Sequence, residues 1–271
     1  MNDWLRNLPV IWMAAAFFLC GYLTVAVIYA LVVKLPSNLL TRAKSFSASM
    51  LSPMGTLLAL FVVFTAAQVW NDNDQATAAV AREASALRSV LILATTFPGD
   101  VRGRLETLVH AHIEEVATNE WPMMARQTAT LEIASRNLVE ALQLTLSIVP
   151  SNPGQGIAQR EMAVALESAL DARRQRILIS HSSVSSLKWV CLVIEAICVL
   201  IAIALCHRDQ PTAAVVAMGL FATGVAACFL LIGAYDRPFV GQLAVTPSPL
   251  LQVMPEAARP IPSEASRPPN R

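Results

Sequence analysis

The sequence predicts an all-α membrane protein with four transmembrane helices and a helical extramembrane domain inserted between the second and third of them. Four apolar runs are each about as long as the ~20 residues that a helix needs to cross ~30 Å of hydrocarbon. A long polar stretch separates the second run from the third. Only 14% of the residues are charged, against about 25% in soluble domains. Backbone groups in lipid must bond within their own segment, so each run is expected to be a helix.

The four apolar runs define the expected domain organisation. They are Val10–Val33, Leu51–Trp70, Trp189–Cys206 and Ala213–Tyr235. The first run is too long for the apolar part of a signal peptide, so we expect it to remain as a span. Residues 34–50 are expected to form a short loop between the first two spans. The expected domains are 1–70 with helices 1 and 2, 71–187 with the helical domain, 188–246 with helices 3 and 4, and the tail 247–271.

The polar stretch has the apolar spacing of helices throughout. A stripe at helical spacing begins at Val80, and further stripes begin at Val101, Leu131 and Leu166. Proline and glycine indicate breaks at residues 97–100, 119–122 and 150–154. The last part of the chain, Pro247–Arg271, contains seven prolines. It is expected to be disordered or partly polyproline II.

The distribution of basic residues favours one orientation in the membrane. The side holding both termini and the helical domain carries more basic residues near the span ends, which places that side in the cytoplasm. Lys34, Arg42 and Lys44 in the short loop are the opposing signal. We therefore expect a multi-pass protein of the cell inner (plasma) membrane, with the termini and the central domain cytoplasmic.

The sequence contains no motif of a known enzyme class, and no cofactor or metal site is predicted. Walker, dinucleotide-binding, zinc-protease and nucleophile-elbow motifs are absent. A net charge of +1 argues against a nucleic-acid-binding protein. His110 and His112 point to opposite sides of a helix, and we interpret them as part of a solvated face.

Polar groups near the membrane are the candidate functional residues. Glu195 lies within the third span, where an ionisable side chain is costly and usually faces a polar partner or a water path. The alternative is that it reaches the interface by snorkelling or packs in its neutral form. In the second span, Thr56, Leu60 and Phe64 are four residues apart and stack on one helix face. Spacing alone allows ordinary packing of this face as well as a functional role. No helix breaker follows Trp70, so we expect the helix to continue out of the membrane.

Short motifs in fixed order resemble a known family. The stretch from Gly55 to Phe64 resembles the second transmembrane helix of bestrophins, in which a glycine precedes alternating small and large apolar residues. A closer resemblance is to the bestrophin-like family of prokaryotic membrane proteins. Its hallmarks are present here as Arg82–Leu87, Glu120-Trp121-Pro122, and Arg237–Gly241 leading to Val245-Thr246-Pro247.

This resemblance implies an ion channel built as a homo-oligomer, a pentamer, whose second helices surround a pore for small inorganic ions. The neck of the pore would fall on Thr56, Leu60 and Phe64, where rings of apolar side chains can exclude water. Asp72 and Asp74 follow the neck, and either would add charge at the pore entrance if it faces the pore. The alternative is that both cap or solvate the outside of the helix. The segment Gln242–Met254 has no acidic residue, so the family's calcium clasp is not expected there.

Two further expectations accompany the channel hypothesis. Glu83 and the Glu120-Trp121-Pro122 motif are expected to serve structure, with Glu83 paired to an arginine elsewhere. The alternative function is a non-conducting membrane scaffold or sensor, whose helical domain binds a protein partner and whose spans are merely packed in the lipid bilayer.

Overall fold

The computed structural model describes residues 9–34, 37–132 and 135–254, with the backbone alone for 37–47. These residues are helical or irregular, and they include four helices long and apolar enough to span a membrane. The predicted all-α, four-span fold is therefore confirmed. In chain order the elements are α1 (Val10–Lys34), α2 (Ser37–Ala94), α3 (Gly99–Glu115), a π-helical segment (Val116–Glu120), α4 (Trp121–Ala125), α5 (Arg136–Ser147), α6 (Pro153–Ser180), α7 (Ser186–Cys206), α8 (Pro211–Tyr235) and α9 (Ser248–Leu251).

Three of the spans lie where the apolar runs predict them. Helices α1, α7 and α8 have windows of mean hydropathy 2.4, 2.8 and 2.5. The side-chain oxygen of Ser185 caps α7 by accepting from the Lys188 amide, and Pro211 begins α8, where a missing N–H costs nothing. Gly21 of α1 lies close to Ala222 and Ala226 of α8, where an added Cβ would be in ordinary van der Waals contact.

Helix α2 is longer than the sequence predicts. It begins at Ser37 rather than Leu51, so the expected loop at residues 34–50 is largely wrong. Residues 37–50 contain neither glycine nor proline, and nothing in them stops a helix. Pro53 lies inside α2, where it removes one backbone donor.

The continuation of α2 beyond the membrane is confirmed. The helix has 58 residues, or about 87 Å at ~1.5 Å per residue, against ~30 Å of hydrocarbon. Its apolar part ends at Trp70 and is followed by Asn71-Asp72-Asn73-Asp74. Most of α2 therefore lies outside the hydrocarbon, including the part that carries Glu83.

The chain forms two compact units. One contains the residues up to Asn73 together with Ser183–Ala244, and the other contains Asp74–Ser182 with the segment from Val245 onward. In the first unit, apolar side chains from all four spans form the core, among them Ile28, Leu58, Leu192 and Met218.

The second unit has a core of fully buried side chains, which include Leu87, Leu105, Leu138 and Leu166. Helix α3 begins after Pro98, and α6 begins after Asn152, whose Oδ1 accepts from the Gln155 amide at 2.9 Å. The breaks predicted at residues 97–100 and 150–154 are therefore confirmed.

The break predicted at residues 119–122 is wrong. The chain stays helical from α3 through the π-helical segment into α4, because the Trp121 amide donates to the Val116 carbonyl, five residues back. This wider turn carries the chain past Pro122 without ending the helix. Pro122 lies in the first turn of α4.

Two other expectations need correction. The third predicted stripe begins at Leu131, but α5 begins at Arg136, and Leu131 is exposed outside any helix. The tail predicted from residue 247 is ordered at its start, where α9 forms and Leu250 and Met254 are buried. The rest of that tail, residues 255–271, lies outside the described residues.

Candidate functional site

The predicted neck residues lie on the face of α2 that points away from the core. Leu60 and Phe64 are 49% and 70% exposed, and Thr56 is exposed as well. The opposite face carries the buried side chains Leu58 and Val69. Of the four spans, α2 is the least enclosed within the protomer. Thr56, Leu60 and Phe64 therefore lie outside the packed core that the described parts of the four spans form.

The hydroxyl of Thr56 is occupied by its own helix. Its Oγ1 donates to the Ser52 carbonyl at 3.0 Å. The hydroxyl proton is therefore used within the helix, which makes the Thr56 position less polar than a free hydroxyl would be.

The two aspartates after the neck differ in position. Asp74 is exposed, whereas Asp72 is half-buried. On a helix of ~3.6 residues per turn, Asp74 lies about five whole turns after Thr56 and returns to the same face, while Asp72 lies on the opposite side. Both aspartates lie about 80° round the helix from Phe64, so exposure rather than azimuth distinguishes Asp74 from Asp72.

Glu195 lies near the middle of α7 and is half-buried. Its Oε2 is enclosed and has no hydrogen-bond partner among the described residues. Two turns earlier on the same face of α7, the Lys188 ammonium donates to the Gln68 amide oxygen of α2. The face that carries Glu195 thus points toward α2 at the level of Lys188.

A buried ionic cluster holds the second unit together; its members are Glu83, His112, Glu120, Ser135, Arg173 and Arg176. The Glu83 carboxylate accepts from Arg176 Nε at 2.9 Å and from Nη2 at 3.2 Å. Arg176 Nη2 also donates to Glu120 at 2.8 Å, and Glu120 accepts from Arg173 Nε at 2.7 Å. Two cations thus alternate with two carboxylates, which neutralises the buried charge.

His112 extends the ionic cluster on the other side of Glu83. Its Nε2 lies 2.9 Å from Glu83 Oε1, and its Nδ1 lies 2.8 Å from Ser135 Oγ. The carboxylate can only accept, so Nε2 carries a proton, and in the neutral ring Nδ1 then accepts from the serine hydroxyl. His112 is 1% exposed, and the prediction that it lies on a solvated face is wrong.

Ser135, His112 and Glu83 are hydrogen-bonded in the same order as the residues of a hydrolase triad. All three are buried, with Ser135 only 4% exposed. The enclosed serine presents no nucleophile at the surface, so this arrangement supports the fold rather than a reaction. In residues 9–34, 37–132 and 135–254, no three histidine, cysteine or acidic side chains are grouped to hold a metal ion.

Trp121 ties Arg176 to the segment after the fourth span. The guanidinium lies 5.2 Å from the indole centroid, within the range of a cation–π interaction. The indole N–H donates to the Val245 carbonyl at 3.3 Å. The motifs Glu120-Trp121-Pro122 and Val245-Thr246-Pro247 therefore meet in one place.

The pKa values of the central pair follow from this geometry. Burial alone raises the pKa of Glu83, but the charge of Arg176 and the hydrogen bond from His112 outweigh burial and lower that pKa to about 2. Burial alone would lower the pKa of Arg176, yet Glu83 and Glu120 hold it above its ordinary value. Both side chains are ionised at neutral pH.

The sequence analysis anticipates part of this cluster. The prediction that Glu83 pairs with an arginine elsewhere is confirmed, and the partner is Arg176. Arg176 itself is missed, although one signal was present: Arg173, three residues earlier, interrupts an apolar stripe at a position that proves to be buried. A basic residue at a core position of an amphipathic helix indicates a buried partner.

Comparison with known proteins agrees with this architecture. The model of the bestrophin-like domain matches residues 15–250. The crystal structure of a membrane protein superposes with a TM-score of 0.61 at 10% identity, and the match covers 90% of this chain and 98% of that one. At such low identity the likeness shows the fold alone. No curated protein matches the chain.

The family match covers the first span from residue 15 onward, the other three spans and the buried ionic cluster, and it includes each of the three short motifs noted in the sequence. The chain belongs to the bestrophin-like family of membrane proteins.

Proposed function

We propose that this protein is an oligomeric ion channel in which copies of α2 surround a central pore. The observation that supports this most strongly is the exposure of the Thr56, Leu60 and Phe64 stripe. A pore-lining face must be left free by the protomer's own spans, and α2 packs its core through Leu58, Thr65 and Val69 instead. Membership of the bestrophin-like family supports the same function.

The stripe has the chemistry of a hydrophobic gate. In a ring of subunits, Leu60 and Phe64 would form two stacked apolar constrictions, and such constrictions gate by excluding water. The Thr56 hydroxyl bonds to its own helix, so the first ring would add little polarity. We propose a homopentamer that conducts small inorganic ions through this neck.

Asp74 is the proposed charge at the pore entrance. It is exposed and returns to the azimuth of Thr56 on α2, whereas Asp72 is half-buried. Several copies of Asp74 would form an acidic ring that favours cations. Glu195, behind α2, is the proposed intramembrane polar site, where it lines a path or bonds across helices.

We propose the inner (plasma) membrane as the location, with both termini and the central helical unit on the cytoplasmic side. The basic residues near the span ends favour this side. The bilayer, identical copies of the chain, and the permeant ions are then its partners.

The alternative is a non-conducting scaffold or sensor, whose helical unit binds a protein partner. The exposed apolar side chains of that unit, Ile92, Leu146 and Val164 among them, favour this reading. The scaffold hypothesis predicts that the protein is a monomer or dimer in which α2 faces lipid, and that reconstituted bilayers carry no current.

The test combines particle imaging with single-channel recording. The purified protein in mild detergent should show a ring of subunits, and reconstituted bilayers should carry current. Phe64→Ala should raise the conductance or the open probability, because it widens the neck. The matched control is Phe61→Ala, which makes the same truncation at a phenylalanine on the packed face of α2.

Phe61→Ala should lower thermal stability and leave the conductance per channel unchanged. Monomeric or dimeric particles that are silent in bilayers would contradict the channel and support the scaffold. Equal effects of the two variants on conductance would contradict the proposed pore face.

A further inference from the structure

An apolar groove runs between the first, third and fourth spans, on helices α1, α7 and α8. We call it the interhelical groove. Its volume is about 180 Å³. An apolar cavity of roughly 150 Å³ in a protein core stays dry and holds a benzene-sized molecule. The groove is therefore large enough for part of a hydrocarbon chain.

The interhelical groove exists because small residues meet where larger ones would fill the space. Gly21, Ala196, Ala222 and Ala226 line it from three helices. At its mouth, Cys20 is exposed and Val193 is 42% exposed. Because these helices span the membrane, the mouth opens toward lipid.

Three aromatic rings close one end of the interhelical groove. Trp189 stacks on Phe17 with ring centroids 6.3 Å apart, and it meets Phe229 edge-on at 5.7 Å. Trp189 is the fourth residue of α7 and follows Lys188 directly. Tryptophan and lysine at the end of a span are typical of the membrane–water interface.

The length of the interhelical groove matches one leaflet. It extends from Trp189 to Leu200 on α7, which is about 16 Å at ~1.5 Å per residue. Half of a ~30 Å hydrocarbon core is about 15 Å. The groove thus begins near the interface and ends near the middle of the bilayer.

Water is a poor occupant of this space. The Thr24 hydroxyl is used by its own helix, where it donates to the Cys20 carbonyl at 2.8 Å. The Trp189 indole N–H is enclosed and has no hydrogen-bond partner among the described residues, so it offers a single donor. A water molecule needs two to four polar partners, and the groove does not supply them.

We propose that the interhelical groove binds one acyl chain of a membrane phospholipid, taken from the leaflet at the Trp189 end. The small residues leave space for the acyl chain, and the aromatic rings contact its upper part. The groove is about as deep as one leaflet, so it accommodates a chain from that leaflet only. This site is independent of whether the protein conducts ions.

The test uses two matched variants of α7. Val193→Phe places a ring at the mouth of the interhelical groove, while Val190→Phe makes the same change at a side chain that is 52% exposed and lies outside it. The parent protein, purified in detergent until bulk lipid is removed, should retain about one phospholipid per chain in native mass spectrometry. Val190→Phe should retain it too, and Val193→Phe should lose most of it.

A second measurement keeps the test valid if Val193→Phe folds poorly. The protein is reconstituted in vesicles of a phosphatidylcholine that is brominated near the top of one acyl chain, and the bromine should quench the fluorescence of Trp189. The Trp189 signal is the difference between the fluorescence of the parent protein and that of Trp189→Phe. Excess unbrominated lipid should relieve that quenching slowly and saturably. Two results would overturn the proposal: loss of all phospholipid from the parent protein, or quenching that depends only on the ratio of brominated to unbrominated lipid in the bilayer. Either result would mean that the protein contacts only ordinary annular lipid.

Discussion

The Glu83 carboxylate and the Arg176 guanidinium form a two-point ion pair in which neither side chain has any exposed surface. The two residues are 93 positions apart in the chain. Glu83 lies on the helix that begins in the membrane, and Arg176 lies on α6. The pair therefore fixes the long extension of α2 within the core of the second unit.

Breaking this pair should strongly destabilise the second unit. Arg176→Met leaves the Glu83 carboxylate buried with only His112 beside it, and removal of one partner of a buried pair costs about 3–5 kcal/mol. The expected result is a large drop in the midpoint of thermal or chemical unfolding, followed by circular dichroism in detergent.

The matched control is Arg102→Met. Arg102 pairs with Glu106 at 2.7 Å, but its side chain is 49% exposed, and such surface pairs contribute about 0–1 kcal/mol. If the two variants were equally stable, Arg176 would not hold the core as described.

Acid should weaken the second unit through Glu83. The folded-state pKa of Glu83 is lowered from 4.5 to about 2, so the ionised carboxylate stabilises the folded state above pH 4.5. That stability is lost as the pH falls from 4.5 toward about 2. The unfolding midpoint, measured across this range, should fall more steeply for the parent protein than for Glu83→Gln, which has no carboxyl to protonate at this position.

Other acidic groups titrate in both proteins, so the difference between the two pH profiles isolates Glu83. Parallel profiles would show that Glu83 does not contribute to the acid response. Glu83→Gln should also be less stable at neutral pH, because it leaves Arg176 with Glu120 as its remaining carboxylate partner.

Ion selectivity should depend on Asp74 and not on Asp72. If the channel proposal holds, Asp74→Asn removes one negative charge per subunit from the exposed side of α2. The reversal potential under a salt gradient should then shift toward anions. Asp72→Asn is the matched control, because it makes the same change two residues earlier on the opposite side of the helix. A larger shift from Asp72→Asn would place the pore on another face of α2.

The segment after the fourth span should contribute to stability through Leu250. This side chain has no exposed surface, and Leu250→Ala should cost about 2–5 kcal/mol, as core truncations do. Leu243→Ala, at a side chain that is 46% exposed, should change the free energy of unfolding by about 0.5 kcal/mol or less. Unfolding curves of both variants test this. Equal stabilities would mean that the α9 region is not packed as described.

The sequence by itself determined the four spans and most of the helices. Hydrocarbon imposes one requirement on every backbone group, so an apolar run of sufficient length becomes a helix wherever it occurs. The breaks at Pro98 and before Pro153 were also readable, because proline and glycine act locally. The π-helical turn before Pro122 was not, since it depends on a single displaced backbone bond.

Only the tertiary structure decided which polar residues belong to the core. His112 and Arg176 have the composition of surface residues, and their burial depends on partners that lie 29 and 93 positions away. Likewise, spacing placed Thr56, Leu60 and Phe64 on one face, but the packing of Leu58 and Val69 decided that this face points outward. The spacing of apolar residues in the sequence defines the faces of a helix, but contacts between residues distant in the chain determine which face is buried.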